Sequence, residues 1–274
     1  GRDVLRGGEG DDVFEITSEY FDRVSGGTGT DTLRVIGTDE AMTLWDFPFN
    51  RFQGIEAIDL SAEGAQNFST TYQNVLRVSD ESNTLVVHGT ADDTISLLIG
   101  WEITGSQTLN SQPYHVLTIG EASLIVDADI GIGVMIWPQA TEHRLQQVSD
   151  SVQLMSDGEI EFSFPVGTGL SLNVLGSAGD DVFVVDLSGG NFVETVDLQW
   201  IGFDNETTDG DRIEFVGHES SVVEIYPVEG DGGTVWFDGR AVNFYGTEQL
   251  VDEFVVDHRA VYWPSDSDPF GADD

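Results

Sequence analysis

Gly7-Gly8-Glu9-Gly10-Asp11-Asp12-Val13-Phe14-Glu15 and Gly26-Gly27-Thr28-Gly29-Thr30-Asp31-Thr32-Leu33-Arg34 are two copies of one nonapeptide. The pattern is G-G-x-G-x-D-x-U-x, in which U is a large apolar residue. Gly1-Arg2-Asp3-Val4-Leu5-Arg6 supplies the last six positions of a third copy, so the chain reads as a piece of a longer protein. Glycine permits the positive φ of a tight turn, and the U residue on the short strand that follows points inward. Two turns and two strands make a coil of about eighteen residues. Asp12 and Asp31 are 19 apart, one more than that spacing. Carboxylates stacked ~4.8 Å apart repel each other. A hard dication between them, with turn carbonyls completing an oxygen shell, removes the repulsion, and such a shell suits calcium better than magnesium.

These residues resemble the calcium-binding repeats of the repeats-in-toxin group of secreted bacterial proteins, over residues 1 to about 35. The resemblance implies Ca2+ as the bound ion, held around Asp12, Asp31, Gly8, Gly10, Gly27 and Gly29, with Asp3 paired to a coil upstream of this chain. The competing reading is ordinary Gly/Asp turns with hydrated carboxylates. Fainter echoes occur at Gly89-Thr90-Ala91-Asp92-Asp93 and Gly176-Ser177-Ala178-Gly179-Asp180-Asp181, where an Asp-capped turn is the plainer reading.

The charge of the chain agrees with a cation-rich setting. Among 274 residues, 50 are acidic and 10 basic, a net charge of -40; all ten basic residues are Arg. No basic face for nucleic acid can be assembled from them, and anionic membranes repel such a chain. With no Cys there is no disulfide framework and no thiolate zinc site. The longest apolar stretch, near Ile132 to Trp137, is far short of a membrane span.

Outward from the repeats the dominant period is two. Leu170, Leu172 and Val174 alternate with Ser171 and Asn173, and Val242 and Phe244 flank Asn243. Two stretches, Tyr72 to Leu76 and Glu142 to Val148, suit a helical turn or two. The expected class is all-β: a parallel β-solenoid (β-roll or β-helix) with short strands, the alternative being two β-sandwich domains. Five zones are expected: Gly/Asp repeats at 1–36, a first strand-rich module at 37–138, a connector at 139–150, a second strand-rich module at 151–258, and an acidic tail or linker at 259–274. Gly54-Ile55-Glu56-Ala57-Ile58-Asp59-Leu60, followed by Asn83-Thr84-Leu85, resembles a module of very large bacterial surface adhesins. Gly179 to Gly190 and Tyr245 to Asp252 resemble a second repeat of giant secreted proteins, with Gln249 where that pattern has Pro.

No catalytic motif stands out. His88, His115, His143, His218 and His258 show no metal-ligand spacing, and there is no nucleophile elbow or phosphate loop. Asp209, Asp211 and Arg212, in the acidic loop 204–212, are the one compact acid/Arg group. The six Trp (45, 101, 137, 200, 236 and 263) would stack on sugars if exposed and pack in the core otherwise. The expected function is therefore a calcium-stabilised, non-catalytic structural or adhesion segment of a large secreted or cell-surface protein. Calcium is its first partner, and an extracellular polysaccharide or another surface protein its second. The alternatives are a polysaccharide-active solenoid enzyme or carbohydrate-binding module, and a halophilic domain whose acids are only hydrated surface.

Overall fold

A computed structural model describes residues 3–17, 21–36, 41–43, 51–62, 64–98, 100–135, 142–177, 179–202, 210–217, 219–227, 232–237, 240–247 and 249–261. The fold is all-β with one short α-helix among the described residues, and it divides into two compact units, Gly1–Gly133 and Val134–Asp274.

The first unit contains β1 (Asp3–Glu9), β2 (Val13–Ile16), β3 (Phe21–Thr28), β4 (Thr32–Val35), β5 (Ala41–Thr43), β6 (Phe52–Gln53), β7 (Ala57–Asp59) and β8 (Asn67–Thr70). Helix α1 (Tyr72–Val78), β9 (Thr84–His88), β10 (Thr94–Leu97), β11 (Trp101–Leu109), β12 (Gln112–Ile119) and β13 (Ala122–Asp127) follow, and β14 (Gly131–Met135) crosses the boundary between units. β2, β4, β7, β9 and β13 pair in parallel in that order. Their register aligns Phe14, Leu33, Ile58, Val87 and Val126 in one row. Every member is buried, from 9% exposed at Phe14 to 0% at the other four. The U residues of both nonapeptides open that row. Successive members of the row are 19 to 39 positions apart in the chain (14 to 33, 33 to 58, 58 to 87, 87 to 126). Loops absorb the difference, because a longer closed loop adds little entropy cost.

β1, β3 and β6 form a second parallel ladder, and β5, β8 and β10 a third. The helical turn expected from Tyr72 is α1: the Thr71 hydroxyl accepts from the Asn74 N–H at its start, and Val75 and Val78 face inward. β11 and β12 form an antiparallel hairpin across Asn110 and Ser111, both at positive φ, as a tight two-residue turn requires.

The second unit contains β15 (Glu142–Val148), β16 (Ser151–Ser156), β17 (Glu159–Pro165), β18 (Leu170–Leu175), β19 (Val182–Asp186) and β20 (Val196–Ile201). It continues with β21 (Arg212–Val216), β22 (Glu219–Pro227), β23 (Gly232–Phe237), β24 (Arg240–Tyr245), β25 (Gln249–Asp252) and β26 (Val255–Val261). β15, β19, β21 and β25 are parallel. So are β18, β20 and β24, which align Leu172, Leu198 and Val242, all fully buried. Phe183 from the first ladder stacks on Trp200 from the second, with ring centroids 4.9 Å apart. Phe215, Phe237 and Phe254 close the core beside them.

One expectation is corrected here. Glu142–Val148 is not a helical turn within a connector; it is strand β15, paired with β16 on one side and β19 on the other. His143 and Leu145 are fully buried while Glu142, Arg144 and Gln146 are not, which is the period of a strand. Good helix formers at Gln146 and Gln147 mask that alternation, and pairing on both edges overrides their propensity.

Candidate functional site

The Gly/Asp corners are built around carboxylates that face inward. Asp31 is 0% exposed. Its Oδ1 accepts the Asp12 backbone N–H at 2.8 Å, and its own N–H donates to Glu56 Oε2 at 2.9 Å. The Asp12 carbonyl accepts from the Thr32 N–H, the first rung of the β2/β4 ladder. Each carboxylate thus adds one rung beyond the end of a strand and satisfies an N–H that would otherwise be orphaned.

The same device recurs. Asp93 Oδ1 accepts the Gln66 N–H at 2.9 Å, and its Oδ2 caps its own turn at the Thr90 N–H, 2.6 Å away. Asp211 Oδ1 accepts the Asp181 N–H at 2.8 Å, and Asp181 Oδ2 caps the Ser177 N–H at 2.6 Å. In these four bridges a carboxylate later in the chain takes the N–H of an earlier corner, and Asp11 Oδ1 does the reverse, taking the Thr30 N–H at 2.8 Å.

Of the seven residues predicted to hold a metal, the structure brings Asp12 and Asp31 together across the 19-residue register. It also stacks Gly8 (φ 120°) on Gly27 (φ 114°). Gly10 lies against Gly29, where a Cβ would stand 2.4 Å from the Gly10 carbonyl. Asp3 sits apart from this group in the hydrogen-bonding pattern, exposed at the start of β1 opposite Phe21.

Two further glycines prove as important, for close approach rather than for φ. A Cβ on Gly7 would lie 2.2 Å from Asp12 Oδ2 and 2.5 Å from the Gly26 carbonyl oxygen. One on Gly26 would lie 2.3 Å from Asp31 Oδ2 and 1.9 Å from the Gly54 oxygen. A carboxylate and a carbonyl therefore converge on each glycine α-carbon, where only a C–H fits.

This convergence tests the corner as a cation site. Asp12 Oδ2 and Asp31 Oδ2 are both buried without a hydrogen-bond partner. A buried carboxylate oxygen lacking a donor is costly. Oxygen donors of two kinds, carboxylate and carbonyl, match the preference of a hard cation such as calcium, not that of zinc or copper. Among the described residues no group of three or more His, Asp or Glu side chains is placed to hold a metal. Any ion at these corners would therefore draw much of its shell from the backbone. Asp31 is 0% exposed, so it is not a surface carboxylate.

The second unit holds a polar cluster that has no sequence signature. His143 Nδ1 lies 2.7 Å from Ser156 Oγ, and His143 Nε2 lies 3.4 Å from Asp181 Oδ1. The three come from β15, β16 and the corner before β19, and Glu161 of β17 lies beside them. The order Ser–His–Asp matches the connectivity of a hydrolytic triad. His143, Ser156 and Asp181 are 0%, 3% and 1% exposed, so no substrate reaches them, and the cluster ties three strands together instead. Only strand register assembles it.

Burial pushes the Asp181 carboxyl up, but hydrogen bonds from His143 and Ser177 outweigh this and hold it below the usual carboxylate range. Asp59 and Asp186 are also held low: burial raises each, and Ser61 with Arg34, or Ser188 with Arg144, outweighs it. Glu161 goes the other way, because burial outweighs the Ser156 hydrogen bond and the His143 charge. The signs fix a pH profile. The three Asp contribute stability that is present above the unfolded carboxylate pKa of about 4 and lost as pH falls through their lower folded values. Glu161 costs stability as pH rises from that unfolded value through its raised folded one. Urea midpoints should therefore fall steeply below about pH 4. Asp186→Asn should flatten that acid limb, and Glu161→Gln should leave it intact while flattening the limb above it. An unchanged acid limb in Asp186→Asn would refute the assignment.

The other residues singled out from sequence have plain positions. Asp211 is fully buried in its corner and Arg212 pairs with Glu214 at 2.8 Å, so these two do not converge on a common site; Asp209 lies outside the described residues. His115 is buried and His88 bonds the Tyr114 hydroxyl, while His218 and the His258 side chain lie outside the described residues. Trp101 and Trp200 are core, Trp236 is 42% exposed, and Trp45, Trp137 and Trp263 lie outside the described residues. Two Arg each bind two carboxylates: Arg34 binds Glu15 and Asp59 on the strands to either side, and Arg144 binds Glu142 on its own strand and Asp186 on β19. No described helix is long and apolar enough to cross a membrane.

The chain matches no protein-family model, no curated protein and no solved structure.

Proposed function

We propose that this chain is a calcium-stabilised, non-catalytic structural or adhesion segment of a large secreted or cell-surface protein, with its parallel ladders wound as β-solenoids. The observation that carries the proposal is the pair of buried, partnerless oxygens, Asp12 Oδ2 and Asp31 Oδ2, in stacked Gly/Asp turns. Parallel pairing between strands joined by long connections supports the winding over an antiparallel sandwich. The resemblance of the nonapeptides to repeats-in-toxin sequences supports the setting. Asp12 and Asp31, with the Gly26 and Gly54 carbonyls beside them, would hold the ion.

The mechanism is linkage. An ion that binds the folded corner and not the open chain stabilises the fold by about 2.7 kcal/mol at a hundredfold excess over its Kd. A calcium-poor compartment would leave the segment less stable, and a calcium-rich exterior would stiffen it.

Calorimetric melting should show a calcium-dependent rise of about 5–10 °C for a unit of this size. Magnesium at equal ionic strength should give less than half of it. Asp31→Asn keeps an acceptor for the Asp12 N–H and removes the charge, so it should abolish the calcium increment. Equal stabilisation by calcium, magnesium and sodium chloride would refute the metal and favour a halophilic domain with hydrated acids.

A further inference from the structure

The second unit carries a groove of about 610 Å³ on the outer face of the β18/β20/β24/β23 sheet. The parallel and antiparallel registers place Ser171, Asp197, Ala241 and Trp236 in one row across those four strands. Their neighbours Leu170, Val196, Val242 and Val235 point inward and are buried. Trp236 is 42% exposed, far more than the core Trp101 and Trp200 at 1% and 0%. Glu194 and Arg240, both exposed, complete the polar lining. The next outward row is Asn173, Gln199, Asn243 and Thr234, with the Thr234 hydroxyl donating to Asn243 Oδ1 at 2.9 Å.

A solvent-facing indole on a structured sheet loses apolar contact unless something covers it. The polar groups around it are planar carboxylates, a guanidinium and amides, which offer both donors and acceptors. Rungs repeat every ~4.8 Å across the strands, close to the length of one sugar ring in an extended glycan. The charge decides which glycan. Two carboxylates face one Arg in the groove, within a chain of net charge -40, so a polyanion is repelled.

We infer that this groove binds a neutral polysaccharide: Trp236 stacks on the C–H face of a sugar ring, and Ser171, Asp197, Glu194 and Arg240 take its hydroxyls. The inference does not depend on calcium at the Gly/Asp corners of the first unit.

The test is affinity electrophoresis of the full chain, with calcium present throughout, in gels containing laminarin, xylan, hydroxyethylcellulose, galactomannan or dextran, beside gels containing alginate or polygalacturonate. At least one neutral polymer should retard the wild type. Trp236→Ala, at an exposed position and with an unchanged melting temperature, should weaken that retardation at least tenfold, and Asp197→Asn several-fold. The acidic polymers should have no effect. Absence of retardation by all five neutral polymers overturns the inference. So does undiminished binding by Trp236→Ala, retardation by the acidic polymers, or capture by immobilised oligoarginine alone.

Discussion

Gly26→Ala and Gly202→Ala are each expected to destabilise the fold by about 3–5 kcal/mol, the range reserved for substitutions that break a named structural device. The added methyl of Gly26→Ala would stand 1.9 Å from the Gly54 carbonyl and 2.3 Å from Asp31 Oδ2. In Gly202→Ala it would stand 2.2 Å from the Gly246 carbonyl and 2.4 Å from Asp211 Oδ2. Nothing in either contact can rotate away cheaply. The carbonyl belongs to an adjacent corner, and the carboxylate is committed to the N–H of Asp12 or Asp181. Relief requires separating two rungs, which forfeits the ladder bonds Glu56 N–H to Asp31 O or Gln249 N–H to Asp211 O. Gly105→Ala is the control: its site is open, and the change should stay within about 0.5 kcal/mol of wild type. Urea unfolding followed by circular dichroism reads all three. A Gly26→Ala or Gly202→Ala protein as stable as Gly105→Ala would show that the corners are not packed as described.

Asp211→Ala should cost about 3 kcal/mol, and Asp211→Asn about 1. Removing the carboxylate leaves the Asp181 N–H buried with no acceptor and opens a void beside Gly202, in a residue that is 0% exposed. The asparagine keeps an oxygen for that N–H and loses only the charge assistance. Loss should spread to the neighbouring cluster, because Asp181 also receives the Ser177 N–H and the His143 ring. A double-mutant cycle of Asp211→Ala with His143→Ala should therefore be non-additive, and two additive losses would show that corner and cluster act separately.

The repeats at Gly7 to Arg34 disclose much of this architecture without coordinates. They mark Phe14 and Leu33 as core, Asp12 and Asp31 as a matched pair, and Gly8, Gly10, Gly27 and Gly29 as positions of positive φ, although Gly8 and Gly27 lie within strands β1 and β3 and not in turns. Period-two alternation likewise marks Leu172 and Val242 as inward residues, and the all-β class follows from it. These are local properties: they depend on φ, on side-chain alternation and on nearest neighbours, which a window of nine residues contains.

Tertiary structure alone decides which strand lies beside which. Intervals within the first core row vary from 19 to 39 residues, so no fixed period predicts that Val87 meets Ile58 or that Val126 meets Val87. For the same reason His143, Ser156 and Asp181 share no motif, and β15 looked helical until both of its edges were paired. The carboxylates show the division most plainly. Asp11 and Asp12 are neighbours of one chemistry, yet Asp11 is exposed while an Asp12 oxygen is buried beside Gly7. Both take part in bonds between corners, Asp11 through its Oδ1 to the Thr30 N–H and Asp12 through its own N–H to Asp31 Oδ1, so what separates them is the side of the corner each carboxylate faces, and only the folded register sets that.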